Sequence, residues 1–211
     1  MSDATEKGIR IGGRTLTALA LVLALSPGCI TEPDTMDNDA TNTIVQIVSM
    51  TVSQGEQGGA GEAVTDLFSD VCFANEEVPP CSTFNDNGIV TMIAFPKDGA
   101  QPSSSINSVT FTRYRVTFIR ADGRNVPGVD VPYAFDGAIN FTVPVGGGEV
   151  ERGFLLVRHQ AKAESPLREL TQAEAVLSVI GQIDFYGADA GGRTIKVTGY
   201  VNITFGDFGN E

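Results

Sequence analysis

The sequence predicts an all-β fold, a single antiparallel β-sandwich of about eight or nine short strands with one short helical segment. Three observations lead there. From Thr43 onward apolar residues recur with a period of two, as a strand with one buried face requires, and not with the 3.6 of a helix. Clusters of Gly, Asn, Asp and Pro interrupt the chain at short intervals, where turns need them. Hydrophobic residues make up 42% of the 211, enough to fill a core, which excludes wholesale disorder.

The first segment is an address and not part of that fold. Lys7, Arg10 and Arg14 form a positive start, and Leu16 to Leu25 is an apolar run of ten residues broken only by Thr17. As helix the run rises about 15 Å, roughly half the hydrocarbon thickness of a bilayer, so it is a signal-peptide core and not a membrane span. Leu25-Ser26-Pro27-Gly28-Cys29 follows. It resembles the lipobox of bacterial lipoproteins, where a small residue precedes a Cys that receives lipid and becomes the mature N-terminus. Gly28 and Cys29 match the two most restrictive positions of that motif, while Ser26 and Pro27 depart from its usual Leu and Ala or Ser.

The resemblance implies a lipoprotein signal peptide over residues 1–28, acylation with palmitate-type chains at Cys29, and the membrane as a partner through that lipid. One acyl chain anchors a protein only marginally, at about 0.8 kcal/mol per buried methylene, and several chains anchor it stably. Ile30 stands after the Cys where the inner-membrane retention signal of enteric bacteria has Asp, which implies the outer membrane. The rival is ordinary cleavage after Ser26, which Pro27 disfavours.

Residues 29–42 read as a lipidated N-terminus and acidic tether. Glu32, Asp34, Asp37 and Asp39 come with almost nothing apolar. At full extension Thr31 to Asn42 would reach about 40 Å. The β-sandwich domain is expected over residues 43–211.

Its first strand is Ile44 to Val52, rich in β-branched residues, followed by a Gly-rich loop from Gly55 to Gly61. The run Asn85-Asp86-Asn87-Gly88 reads as a turn before a strand over Ile89–Phe95. Val109 and Phe111 share one parity, whereas Tyr114, Val116 and Phe118 take the other. A β-bulge near Thr112-Arg113, or a crossing between sheets, accounts for the switch. Asp122-Gly123 favours a tight hairpin.

Strands follow at Ala138–Val143, Gly153–His159 and Ala175–Tyr186. Gly187 to Arg193 is a long hairpin leading to the clearest strand, where Ile195, Val197, Gly199, Val201, Ile203 and Phe205 alternate with polar residues. The helical segment is expected at Ser165–Leu170, where Pro166 suits a first turn. Taken together these strands resemble the immunoglobulin-like class in architecture, without the Trp or inter-sheet Cys pair of antibody domains. Architecture alone assigns no function.

Composition narrows the chemistry. Asp and Glu number 26 against 14 Lys and Arg, and the net charge of −12 repels nucleic acid and anionic headgroups. Removing Cys29 from three cysteines leaves Cys72 and Cys81, expected to form a structural disulfide in an exported chain. That ring would contribute about 2–3 kcal/mol on the chain-entropy estimate. No hydrolase, zinc, phosphate-loop or dinucleotide motif is present, and the one histidine, His159, reads as a strand-end residue at a sheet rim. The reading is therefore of a non-enzyme with no obligatory cofactor.

Two weaker sites remain. Hard cations favour loops rich in Asp and Asn, which makes Asp86, Asp122, Asp184 and Asp189 candidate calcium ligands, against the plainer role of capping turns. Arg113, Tyr114 and Arg115 form a candidate binding surface in an otherwise acidic chain, and Tyr133, Phe135 and Phe141 cluster farther on. The functional expectation is a structural or protein-interaction module with a partner in the envelope or at the surface. The alternatives are a glycan-binding or calcium-stabilised adhesive module, and an envelope hydrolase whose site no motif reveals.

Overall fold

The computed structural model describes residues 41–56, 59–72, 82–99, 105–171 and 175–208. Of these, 61% are strand and 7% helix, so the all-β expectation holds. The signal peptide, Cys29, the tether as far as residue 40 and Cys81 lie outside the described residues. Thr41 is already buried, with its hydroxyl donating to the Thr43 carbonyl at 2.8 Å.

A three-stranded antiparallel sheet places β5 (Asp86–Pro96) between β1 (Thr43–Ser53) and β8 (Val150–Val157). The larger sheet runs β4 (Asp66–Asp70), β10 (Thr194–Gly206), β9 (Leu177–Asp189), β6 (Val109–Ile119), β7 (Phe135–Val143), and it curls into a half-barrel. Two short strands, β2 (Gly55–Glu56) and β3 (Gly59–Ala60), pair with each other inside the expected Gly-rich loop. The sheet is mixed, not purely antiparallel, because β4 runs parallel to β10. In β4 the buried residues are Leu67, Ser69 and Asp70, of which only Leu67 is apolar, too weak a pattern to announce a strand.

Alternation does the rest. In β10 the inward residues Ile195, Val201, Ile203 and Phe205 are buried, while Thr194, Tyr200 and Asn202 are exposed. The expected parity switch in β6 is a β-bulge: against β9 the pairing slips between Phe111 and Arg113 with Thr112 extra, while on the other side β7 sets two residues, Ile139 and Asn140, against Thr112. Both sheets contribute to one core, and Phe154 of β8 links them. Its ring meets Phe185 at 5.4 Å and Tyr114 at 5.6 Å.

That ring also explains Gly88. A Cβ there would lie 2.3 Å from Phe154 Cζ, so the residue is small because a ring covers it. The expected turn at Asn85–Gly88 is instead the entry to β5, which begins at Asp86.

Other expectations shift similarly. Asp122-Gly123 does form a turn, with Gly123 at φ +81°, but it opens a long connection to β7 and not a tight hairpin. The β9–β10 hairpin is shorter than expected, since β9 continues to Asp189. His159 opens a short helix, α1 (His159–Lys162), and does not end a strand. The expected helical segment is α2 (Leu167–Leu170), with Pro166 just before it.

Candidate functional site

The bulge at Thr112 sets which side chains β6 presents outward. Arg113 and Arg115 point to solvent on the outer face of the five-stranded sheet. Tyr114 points the other way. It is 3% exposed, among Phe135, Phe154 and Phe185, and its hydroxyl oxygen accepts the Leu155 N–H at 3.1 Å. Its expected place in a binding surface is therefore corrected, because adjacent residues of a strand face opposite sides. Burial pushes its phenol above the ordinary range. Phe135 and Phe141 are buried as well, and only Tyr133 of that trio is exposed.

On the outer face the register lines up polar residues across four strands. One row runs Asp136 (β7), Arg115 (β6), Asp184 (β9), Thr198 (β10). Arg115 Nη1 reaches Asp136 Oδ2 at 2.9 Å, and Thr198 Oγ1 donates to Asp184 Oδ1 at 2.7 Å. The next row sets Arg113 beside Tyr186 and Lys196. The Arg113 guanidinium carbon lies 4.1 Å from the Tyr186 ring centroid and Lys196 Nζ lies 5.9 Å away. Lys196 also approaches Asp184 at 3.4 Å, and Arg113 approaches Asp136 at 3.4 Å.

The result is a lattice of alternating charge around a covered aromatic ring. At its end lies a shallow groove of about 570 Å³ lined by Ser108, Thr110, Thr112, Thr142, Arg113 and Tyr186. Hydroxyl and guanidinium groups of this kind are hydrogen-bond donors. The buried carboxylate of Asp189, engaged by Arg193, also lines this groove.

The four candidate calcium ligands do not converge. Asp86 is fully buried against Lys162. Asp122 is held between Arg120 at 2.6 Å and Arg124 at 2.9 Å, and the Arg120 hydrogen bond leads the effects that bring its carboxyl down to about 2. Asp184 sits in the lattice. Asp189 accepts the Gly191 and Arg193 N–H groups at 2.9 and 3.0 Å and the Arg193 side chain at 2.8 Å, closing the β9–β10 turn. Among the described residues no three His, Cys, Asp or Glu side chains gather as metal ligands.

His159 is exposed, with Nδ1 3.1 Å from Asn85 Oδ1. Cys72 follows β4, and its N–H donates to Asp70 Oδ1 at 3.0 Å, while its expected partner Cys81 is outside the described residues.

Sequence reasoning found the two arginines but missed Tyr186, Lys196 and Asp136 as their companions. Their even spacing along separate strands carried the face, but not which strands are neighbours. No known protein-family model matches the chain, and no curated protein is similar enough to count as a relative.

Proposed function

We propose that this chain is a bacterial lipoprotein, anchored by Cys29 at the outer membrane and facing the periplasm or the surface, whose β domain acts by contact and not by catalysis. The observation that carries the reading is the positive start, the ten-residue apolar run and the Gly28-Cys29 pair. The immunoglobulin-like sandwich belongs to the same proposal, and two sheets sharing one core support it. The Arg113, Arg115, Asp136 and Asp184 lattice supports a protein partner, since paired charges on a rigid sheet give register and selectivity.

The test is crosslinking on intact cells followed by capture of the lipidated protein. A partner crosslinked to the parent and lost in Arg115→Glu supports the reading; a protein recovered alone from both counts against it. Cys29→Ala is expected to leave the membrane fraction, and its retention there would remove the anchor from the proposal.

The glycan-binding alternative draws on Tyr200, which is 63% exposed and flanked on the outer face by Thr198 and Asn202. Tyr186 serves it less well, because Arg113 and Lys196 cover the ring.

A further inference from the structure

Lys162 and Asp86 are the one pair of oppositely charged side chains among the described residues in which both members are essentially inaccessible, 1% and 0% exposed. Lys162 Nζ lies 2.8 Å from Asp86 Oδ1. Two further donors address the same carboxyl group: the Gly55 N–H reaches Oδ1 at 2.9 Å, and the Ser69 hydroxyl reaches Oδ2 at 2.6 Å. The two residues are 76 positions apart, and the fold grips the lysine from both ends of α1. Asn85 Oδ1 accepts the His159 N–H at 2.7 Å, and the next residue, Asp86, holds Lys162.

A buried ion pair is a costly way to hold a helix, because desolvating two charges offsets much of their attraction. The same surroundings favour a different chemistry. Both groups are closed off from bulk solvent and in contact, and two donors are aimed at the oxygens where charge would develop if nitrogen attacked Cγ. Burial pushes the Asp86 carboxyl up, against the pull of Lys162, Ser69 and Gly55, which favours its protonated, electrophilic form. The carboxyl of Asp70, adjacent to Ser69 on β4, is also buried and lies near enough to feel the Lys162 charge.

We propose that Lys162 and Asp86 condense to an intramolecular amide, a covalent crosslink between α1 and β5. The step is balanced without any co-reactant. One proton passes from the Lys162 ammonium to an Asp86 oxygen, the neutral Nζ attacks Cγ, the Cγ–OH bond breaks, and the hydroxyl leaves as water with a second proton from nitrogen. The amide keeps the third. Gly55 N–H and Ser69 Oγ–H stabilise the tetrahedral oxygens, and Ser69 is placed to pass the proton to the departing hydroxyl. The inference stands independently of the envelope reading.

Peptide mapping of the full chain tests it. The protein, expressed with its own leader and purified in detergent, is denatured, digested and analysed by mass spectrometry. The expected result is a branched peptide joining the Lys162 and Asp86 segments, lighter by one water than the two together, with no cleavage after Lys162. Ser69→Ala is expected to keep the fold and leave a larger uncrosslinked fraction. Recovery of the two segments as unmodified linear peptides overturns the proposal. So does a water loss that maps to a single linear peptide at Asp122-Gly123 or Asp136-Gly137, since that is the mark of a succinimide. Because the parent protein decides the outcome, a variant that fails to fold cannot obscure it.

Discussion

Tyr114 and Gly137 face each other across β6 and β7, and the tyrosine ring occupies the space a side chain at Gly137 would need. A Cβ on Gly137 would lie 2.2 Å from Tyr114 Cζ and 2.4 Å from its hydroxyl oxygen. The ring itself cannot retreat, because Phe135, Phe154 and Phe185 surround it. Gly137→Ala is expected to cost about 1–3 kcal/mol through overpacking, read as a lower urea midpoint. An unchanged midpoint would mean that the ring moves aside freely.

The hydroxyl of the same tyrosine has a separate role. It accepts the Leu155 N–H, in the strand of the other sheet that carries Phe154. Tyr114→Phe keeps the ring and leaves that amide without its acceptor, at an expected cost of about 1–3 kcal/mol. Hydrogen exchange at Leu155 is expected to speed up, and slow exchange there would show that another acceptor takes over.

Lys162 is the most enclosed charged side chain of the helical segment. Lys162→Met removes one member of the pair and leaves the Asp86 carboxyl buried with only Ser69 and Gly55. Relative to the uncondensed ion pair, the expected loss is about 3–5 kcal/mol by equilibrium denaturation. Adding Asp86→Leu is expected to recover part of it, because no unpaired acid then remains in the core.

Asp122 lies exposed on the turn after β6, and Arg120 and Arg124 hold its carboxyl at about 2, well below the ordinary carboxylate value. A depressed folded value means that its contribution is complete above the ordinary pKa and fades as pH falls through about 2. The side-chain carboxyl carbon is expected to titrate near 2 by NMR, and Arg120→Gln to move the midpoint up. A midpoint in the ordinary range in the parent would show that the arginines do not hold it in solution.

The bulge gives a comparison of deletions. Phe111 and Tyr114 are both buried, while Thr112 and Arg113 between them are both exposed. Deleting Thr112 restores plain alternation along β6 and even pairing with β9, leaves Ile139 and Asn140 of β7 to bulge, and is expected to give a folded protein by circular dichroism. Deleting Thr117 instead turns Phe118 outward and is expected to prevent folding. Equal tolerance of the two would mean that the β6 register is not set by side-chain burial.

Much of this architecture was legible in the residues. Alternation located β1, β5, β6, β7, β9 and β10, and the parity switch in β6 placed the bulge at the correct residue. A strand one face of which is buried writes its period into the chain, so local reading suffices. The same logic pointed to Arg113 and Arg115 as outward residues, yet it misassigned Tyr114, whose neighbourhood in the sequence suggested a surface cluster.

What the residues determined by themselves is the all-β class and the polarity of each long strand. Only the tertiary structure decided that β4 joins β10 in parallel, that Gly88 and Gly137 are small because Phe154 and Tyr114 cover them, and that Asp86 meets Lys162. Each of those depends on contacts between residues far apart in the chain. Local periodicity records which face of a strand is buried, and carries no information about what lies against it.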